Sequence, residues 1–361
     1  MDYNTRREYR RYKVVTSGLR RSKYRIAVDA MGGDHAPEDI ILGALEAAVV
    51  GDVDVLLVGE KDVMKYFVPT SAPKTLQLIP SEGVIAEDEH PLEALRQKPL
   101  SSIAVAAGLV KHGKADALVS MGSTGATMTA AVAAMGTLEG IDRPVLGGPF
   151  FGLAPNTIIV DLGTNIDSRP LQLLNYGVLG SVFAEVFFGI SDPSVGLLSV
   201  GSEEGKGNRQ VREAYKLFSK SGLNFVGNVE GVDVPLGKTN VVVCDGFVGN
   251  ILMKFSEGLG MAVVEYVKAK AQGTSQKEIA GLLGALANLT NYVEHMGGGP
   301  LLGLNGVAVV GHGRSKAPSV TAAIGLARTA LERGLVDMMD KELTKVRPRV
   351  KDEEERQFEH R

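Results

Sequence analysis

Four segments of this 361-residue chain place small polar residues directly after a short apolar run. They are Ala117–Gly125, Ile158–Asp167, Leu197–Asn208 and Val241–Gly249, and a fifth, Ile26–His35, precedes them. Glycine lets backbone N–H groups approach an anion closely, and a helix that begins just after the glycines adds partial positive charge. Serine, threonine and asparagine add further hydrogen-bond donors. The five segments therefore predict an enzyme site that handles an anion.

Such a site requires strands that end at the same edge of a sheet. Apolar strands alternate with helical stretches, from a strand at 25–30 to a helix at 248–271. This alternation predicts an α/β fold with a mostly parallel, doubly wound sheet covered on both faces. Because ligands bind at the carboxyl ends of the strands in such sheets, we expect the five loops to line one crevice.

The length of the chain predicts two lobes. We assign lobe one to about 25–150 plus 300–340, and lobe two to about 151–299. Residues 341–361 are expected to be a charged tail. Residues 1–24 are a basic extension without the apolar core of a secretory signal, and we expect it to be disordered. The alternative for this extension is attraction to anionic lipid or nucleic acid.

Composition narrows the class of protein. Hydrophobic residues at 44% and charged residues at 22% are ordinary for a soluble globular protein. A single cysteine argues against a disulfide framework or a Cys-rich zinc site and favours a reducing cytoplasm. We find no apolar run near the ~18 residues of a membrane span. The histidines show no metal-ligand spacing, and Cys244 is interpreted as a small buried residue, not a nucleophile.

Two helical patterns offer surfaces for partners. Residues 275–296 begin with a capping box and carry apolar residues at helical spacing, which favours packing on a core or a dimer partner over contact with a membrane. A basic stripe is predicted on another helix, where such a stripe is usually only solvated but could also dock an acidic partner. The stripe comprises Lys206, Arg209, Arg212, Lys216 and Lys220.

Together these segments resemble the PlsX-type phosphate acyltransferases from about Arg25 to Leu335. The likeness rests on six motifs in the family's order: Val28–Pro37, Ser120–Ala126, Gly140–Pro144, Gly201–Asn208, Gly227–Glu230 and Asp245–Asn250. It implies a fold similar to isopropylmalate dehydrogenase and phosphotransacetylase. It also implies transfer of a fatty acyl group from acyl carrier protein to inorganic phosphate, forming acyl phosphate for phospholipid synthesis.

The resemblance further implies a homodimer that works beside a membrane glycerol-3-phosphate acyltransferase. The helix at 275–296 and the basic extension add the expectation that this cytoplasmic protein makes peripheral contact at the inner face of the membrane. We predict no cofactor, no metal and no nucleic-acid partner. The chain departs from the family's usual Ala and Asn at Met121 and Ser123, and from its Thr at Cys244. The last departure argues further against a thiol nucleophile.

The implied reaction assigns roles to particular residues. Phosphate is itself a nucleophile near neutral pH, so the protein must bind and orient the dianion, stabilise an oxyanion and help a thiolate leave. We assign His312 as the acid, Lys206 to anion binding and Asn165 to positioning. Substrate binding is assigned to Gly122, Ser123, Thr124, Gly125, Asn208, Asp34, His35, Asp245 and Asn250, and carrier-protein docking to Arg209, Arg212 and Lys216.

Two other classes stay open at this point. An NAD- and metal-dependent decarboxylating dehydrogenase of similar fold would be expected to show an Asp cluster for the metal, and the sequence shows none. A non-catalytic membrane-surface scaffold would explain the basic extension and the helix at 275–296. It would not need five anion-handling loops.

Overall fold

A computed structural model of the chain describes residues 24–149, 151–270, 281, 284 and 296–359, with the side chains of 354–359 excepted. The basic extension up to residue 23 and most of the helix predicted at 275–296 lie outside the described residues. The strands are β1 (Tyr24–Asp29), β2 (Val53–Gly59), β3 (Leu76–Pro80), β4 (Ala117–Ser120), β5 (Val145–Gly148), β6 (Ile158–Val160), β7 (Val195–Leu198), β8 (Phe225–Val229), β9 (Val241–Val243), β10 (Gly299–Leu302) and β11 (Val307–Val310).

Helices occupy most of the segments between the strands. They are α1 (Glu38–Val50), α2 (Lys61–Phe67), α3 (Pro91–Gln97), α4 (Ser102–Lys111), α5 (Thr124–Met135), α6 (Pro170–Phe183), α7 (Arg209–Ser221), α8 (Gly246–Lys270), α9 (Ala317–Glu332) and α10 (Leu335–Glu359). A π-helical turn, Ala184–Phe188, extends α6. The alternation of strands and helices confirms the predicted α/β class.

The described chain divides into two compact units. Unit 1 takes its residues from Met1–Gly136, Met296–Pro300 and Leu304–Glu332, and unit 2 takes the remainder. The chain thus leaves unit 1 after Gly136, earlier than the boundary near residue 150 expected from the sequence.

Unit 1 is built on parallel strands in the order β3-β2-β1-β4-β11. Their continuous Val, Ile and Leu residues suit strands covered on both faces, and Ile26 and Val55 are fully buried. Helix α1 packs against α9, where Thr321 Oγ1 donates a 3.1 Å hydrogen bond to the Gly43 carbonyl. Gly299 and Pro300 of β10 pair antiparallel with β11.

Unit 2 mixes antiparallel and parallel pairing. Leu301 and Leu302 of β10 pair antiparallel with β5, which pairs antiparallel with β6. Strands β6, β9, β7 and β8 then follow in parallel order. The sequence analysis did not predict β5 or β10, because their glycine- and proline-containing sequences carry little strand signal. Helix α6 is largely buried in this unit.

The charged segment 341–361 is not a separate tail, because α10 continues to Glu359. Met339, Leu343, Val346 and Val350 are buried at helical spacing, and α10 packs on α6 and α7 within unit 2. Lys220 of α7 pairs with Glu353 at 2.5 Å. The sequence analysis missed this helix because most of its residues are charged, although an apolar residue recurs at every third or fourth position.

Within the part of the chain that the structure describes, two helices are long and apolar enough to cross a bilayer by length and composition alone. They are Pro170–Phe188 and α8. The first is mostly buried, like a core helix of a soluble protein, whereas only 17% of the apolar window of α8 is buried. The sequence analysis predicted α8 as a helix at 248–271 but did not recognise a segment of membrane-span length, because Lys254 and Glu257 interrupt its apolar run; their side chains pair at 3.2 Å. Exposed apolar residues recur on α8 every four positions: Phe247, Ile251, Phe255 and Leu259.

Candidate active site

Two of the five predicted polar loops, those after β1 and β4, come together in unit 1 with the loop after β11. Asp29, Ser120 and Val310 are register partners at the carboxyl ends of the parallel strands β1, β4 and β11. The loops that follow these strands therefore leave the sheet side by side. Asp34 N donates a 2.8 Å hydrogen bond to Gly313 O, which ties the first loop to the third.

A buried carboxylate organises the first two of these loops. Asp29 accepts hydrogen bonds from Ser120 Oγ at 2.8 Å and from Met31 N at 3.2 Å, and Ser120 Oγ accepts one from Gly122 N at 3.0 Å. A Cβ atom at Gly32 would lie 2.6 Å from Asp29 Oδ2, so only glycine fits there. Burial raises the pKa of Asp29. The sequence analysis missed Asp29 and Ser120 as site residues, although each is a polar residue that ends an apolar strand.

The predicted anion-binding segment begins α5. Ser123 is the N-cap residue, and its Oγ accepts a 3.4 Å hydrogen bond from Ala126 N. Thr124 and Gly125 form the first turn, where backbone N–H groups lack intrahelical partners and the helix dipole favours negative charge. The Gly122 N–H, by contrast, already donates to Ser120. Ser123 thus serves as a cap, and the N–H groups of the first turn are the donors best placed for an anion.

The other candidates of unit 1 surround the loop after β11. The ring nitrogen Nδ1 of His312 accepts a 3.3 Å hydrogen bond from Arg314 N, which places the proton of a neutral imidazole on Nε2. A Cβ atom at Gly313 would lie 3.4 Å from the carboxylates of Asp34 and Glu87. The carboxylate of Asp34 therefore lies beside the His312 loop. His35 follows it as an exposed residue.

Three further loops come together in unit 2, after β6, β7 and β9. The Asp161 carboxylate, at the end of β6, accepts hydrogen bonds from Gly163 N at 2.9 Å, Thr164 N at 2.9 Å and Asn165 N at 2.7 Å. Burial raises the pKa of Asp161, and these hydrogen bonds oppose that rise. Asp161 thus organises its loop much as Asp29 does, and the sequence analysis missed it too.

Asn165 is buried beside Asp161. Its amide nitrogen donates to Pro144 O at 3.2 Å and to Asp161 Oδ2 at 3.1 Å. These bonds give Asn165 a structural role in the loop. Its proposed part in catalysis stays a prediction.

The loop after β9 contains Cys244, Asp245 and, one turn into α8, Asn250. Cys244 is buried; burial, followed by the charges of Asp245 and Asp161, raises the pKa of its thiol well above the usual value. Asp245 Oδ1 accepts a 2.8 Å hydrogen bond from Val248 N at the start of α8. A Cβ atom at Gly163 would lie 3.2 Å from Asn250 Cβ, so Asn250 packs against the Asp161 loop.

The loop after β7 leads into α7 and the basic stripe. Asn208 caps the helix by accepting a 2.9 Å hydrogen bond from Val211 N. Three cations of the stripe have partners: Arg209 pairs with Glu213 at 2.5 Å, Arg212 Nη1 donates to Gly207 O at 2.6 Å, and Lys220 pairs with Glu353. Lys206 and Lys216 are exposed. Among the residues that the structure describes, no three His, Cys, Asp or Glu side chains cluster as metal ligands.

The fold has counterparts among solved structures. A phosphotransacetylase from Streptococcus pyogenes superposes with a TM-score of 0.56 at 19% identity, over 92% of this chain and 100% of that one. A branched-chain phosphotransacylase from Enterococcus faecalis V583 gives a TM-score of 0.53 at 14% identity, over 86% and 99%. The chain therefore shares its fold with these two proteins.

The sequence comparisons give the family. The "Fatty acid synthesis protein" family matches residues 24–338. A phosphate acyltransferase from Desulfitobacterium hafniense (strain DSM 10664 / DCB-2) is 44% identical over 326 residues, 88% of this chain and 97% of that protein. A second phosphate acyltransferase, from Gloeothece citriformis (strain PCC 7424), is 43% identical over 324 residues, 88% and 92%. The chain belongs to this family and is an acyltransferase, which confirms the resemblance found in the sequence.

Proposed function

We propose that this protein transfers a fatty acyl group from acyl carrier protein to inorganic phosphate. The observation that carries the proposal is the cluster of loops after β1, β4 and β11, in which the Asp29–Ser120 pair fixes a helix N-terminus suited to an anion. The relatives named phosphate acyltransferase support it. The acyl phosphate formed would serve a glycerol-3-phosphate acyltransferase of the membrane in phospholipid synthesis.

The chemistry needs positioned donors and one acid. An oxygen of the phosphate dianion attacks the thioester carbonyl, the carbon–oxygen bond forms and the carbon–sulfur bond breaks. In the overall balance, the proton of hydrogen phosphate ends on the departing sulfur, so acyl phosphate dianion and free thiol leave. In our proposal the first turn of α5 binds phosphate in unit 1, and Lys206 of unit 2 is assigned to anion binding. His312 gives its Nε2 proton to the sulfur and takes up the proton that the phosphate loses.

The remaining substrate-binding assignments follow the same loops. Asn208, Asp245 and Asn250 are proposed to orient the acyl donor in unit 2, and Asp34 and His35 to support the phosphate loop in unit 1. The Asp34 carboxylate repels a phosphate dianion, so its contribution is to position the loop through its backbone bond to Gly313.

The donor is proposed to dock on α7. Acyl carrier proteins are acidic, and Arg209, Arg212 and Lys216 present positive charge on one helix. Such complementarity steers association more than it adds affinity. We place the protein in the cytoplasm as a homodimer that contacts the membrane reversibly.

The exposed apolar side chains of α8 motivate the proposal of a dimer. Phe247, Ile251, Phe255 and Leu259 form an exposed stripe, which a partner subunit would bury. The same stripe could instead lie on a lipid surface. A substitution in the stripe would split the dimer in the first case and weaken lipid binding in the second.

One assay tests the proposed reaction. Purified protein is incubated with hexadecanoyl-acyl carrier protein and phosphate, and hydroxylamine traps acyl phosphate as the hydroxamate. We expect hydroxamate to form faster than the background reaction of hydroxylamine with the thioester only when both protein and phosphate are present. The activity should survive EDTA because the nucleophile is already ionised near neutral pH. Release of the carrier thiol without hydroxamate, or reduction of NAD with a hydroxy acid substrate, contradicts the proposal.

A further inference from the structure

A cavity in unit 2 lies at the carboxyl ends of β7 and β9. Its volume is about 310 Å³, at the lower end of the range for small-molecule sites. Most of the side chains around it are aliphatic. They are Leu173, Leu197, Leu198, Val200, Val211 and Val248.

The cavity has a buried end and a rim at the surface. Leu173 and Leu197 are 1% and 0% exposed, whereas Val200 is 84% exposed. The rim also includes Asn208 and Asp245, which the sequence analysis assigned to substrate binding. A ligand can therefore enter from the loops that carry predicted site residues and extend into the hydrocarbon interior of unit 2.

Three polar side chains around the cavity each have one atom in a hydrogen bond. Asn208 and Asp245 accept hydrogen bonds from helix backbone groups, and Gln210 donates to Ser168 O. Ser199 Oγ is buried and has no hydrogen-bond partner among the described residues. A buried hydroxyl without a partner is unfavourable, so Ser199 is a donor that a ligand can satisfy.

We propose that this cavity binds the hydrocarbon chain of the fatty acyl substrate, with the Ser199 hydroxyl donating to an acyl oxygen. The inference rests on the proposed function for the acyl substrate. The pantetheine arm of a carrier protein is a less suitable occupant of the buried end, because its amides need several partners and that end is lined by Leu173 and Leu197. Phosphate is less suitable still, since the described lining contains no Lys or Arg.

Direct binding of fatty acids tests the assignment without relying on catalysis. Val211→Phe adds a ring to the half-buried side chain that lines the cavity. We expect it to weaken binding of hexadecanoic acid by about tenfold and of octanoic acid by much less, because only the longer chain needs the full depth. The matched control is Val226→Phe on β8, which is 52% exposed and does not line the cavity.

Substitutions that change less volume keep the proposal testable if Val211→Phe does not fold. Val211→Leu adds less volume and is expected to shift chain-length preference in the same direction. Ser199→Ala should weaken hexadecanoic acid binding about fivefold, the effect of one lost hydrogen bond, and Ser199→Thr should restore it. Equal effects of Val211→Phe and Val226→Phe on the long chain, with both variants folded by circular dichroism, would overturn the proposal.

The outcome also separates this inference from the proposed function. If wild-type protein makes acyl phosphate but Val211→Phe keeps the wild-type chain-length profile, the cavity assignment fails and the proposed function stands. If no acyl phosphate forms but Val211→Phe selectively loses the long fatty acid, the cavity binds a hydrocarbon chain and the proposed function fails.

Discussion

Asp29 and Ser120 face each other across adjacent parallel strands, and Ser120 Oγ donates a 2.8 Å hydrogen bond to Asp29 Oδ2. The same Ser120 oxygen accepts from Gly122 N. A buried carboxylate therefore fixes the first residue of the segment that the sequence identifies as an anion site. Hydrogen bonds from the ends of β1 and β4 thus position the candidate phosphate loop, and substitution of Ser120 tests this.

Ser120→Ala removes the hydroxyl between Asp29 and Gly122. We expect the free energy of unfolding to fall by about 2 kcal/mol, because a buried carboxylate loses a donor and Gly122 N loses an acceptor. The loop should also position phosphate less well, so the KM for phosphate should rise while the KM for the acyl donor stays unchanged. Thermal melting and steady-state kinetics measure the two effects. An unchanged phosphate KM in a destabilised variant would limit the pair to folding.

Two aspartates of unit 1 should shift stability with pH in opposite directions. Burial raises the pKa of Asp29, so its folded form retains a proton that the unfolded chain releases near pH 3.9. The contribution of Asp29 to the free energy of unfolding is therefore full below that pH. It is lost as pH rises through the pKa that Asp29 has in the folded protein. The Asp29→Asn variant should lack this loss when its Tm is compared with wild type across pH.

Asp116 provides the opposite case. Burial raises the pKa of Asp116, but the hydrogen bonds and charge of Arg25 outweigh it, and the net pKa is lowered. Stability from this pair is present above about pH 3.9 and is lost as pH falls through the lowered pKa. In the Asp116→Asn variant, Tm should therefore decrease less between neutral and acidic pH than it does in wild type. If both variants change the pH profile in the same direction, the assignment of at least one carboxyl is wrong.

Cys244 should be chemically silent. Its thiol is buried and its pKa is raised, so little thiolate exists near neutral pH. We expect native protein to resist iodoacetamide at pH 8 and to show Cys244 alkylation only after unfolding, by mass spectrometry. A rapid quench during a single turnover should contain no acylated Cys244. Detection of that thioester would require a two-step mechanism.

Charge reversal on α7 tests carrier docking. Arg212→Glu should raise the KM for the acyl carrier protein about fivefold at low salt, and high salt should erase the difference. Arg209→Gln should matter less, because Glu213 already pairs with Arg209. Lys111→Glu, an exposed reversal on α4, is the matched control. Equal KM values for Arg212→Glu and the control would remove the stripe from the docking surface.

The α8 stripe separates a dimer from a membrane contact. Phe255 is 66% exposed in the single chain, and Phe255→Glu should convert the dimer to monomer in sedimentation velocity. Lys254→Gln changes the adjacent residue and should leave the dimer intact. A Phe255→Glu protein that remains dimeric but no longer binds anionic vesicles would assign the stripe to the lipid surface.

Much of the fold follows from local pattern. The Val- and Ile-rich runs of β1, β2 and β4 alternate with helical segments, and that pattern is decided by residues near one another in the chain. The helix that follows the Gly122–Gly125 loop and the buried state of Cys244 follow in the same way. Strand β5 and the antiparallel half of β10 could not be predicted, since pairing with distant partners, not their own residues, makes them strands.

The candidate site divides along the same line. The sequence by itself determined the family, the glycine-rich loops and the residue types available to an anion, because motif identity and spacing are properties of the chain. Only the tertiary structure decided that Asp29 and Asp161 organise the loops. It also showed that Asn165 and Asn208 form structural hydrogen bonds, and that Ser199 lines a mostly aliphatic cavity. These features depend on which strands become neighbours and which atoms lose water, and burial of that kind is set by packing across the whole unit.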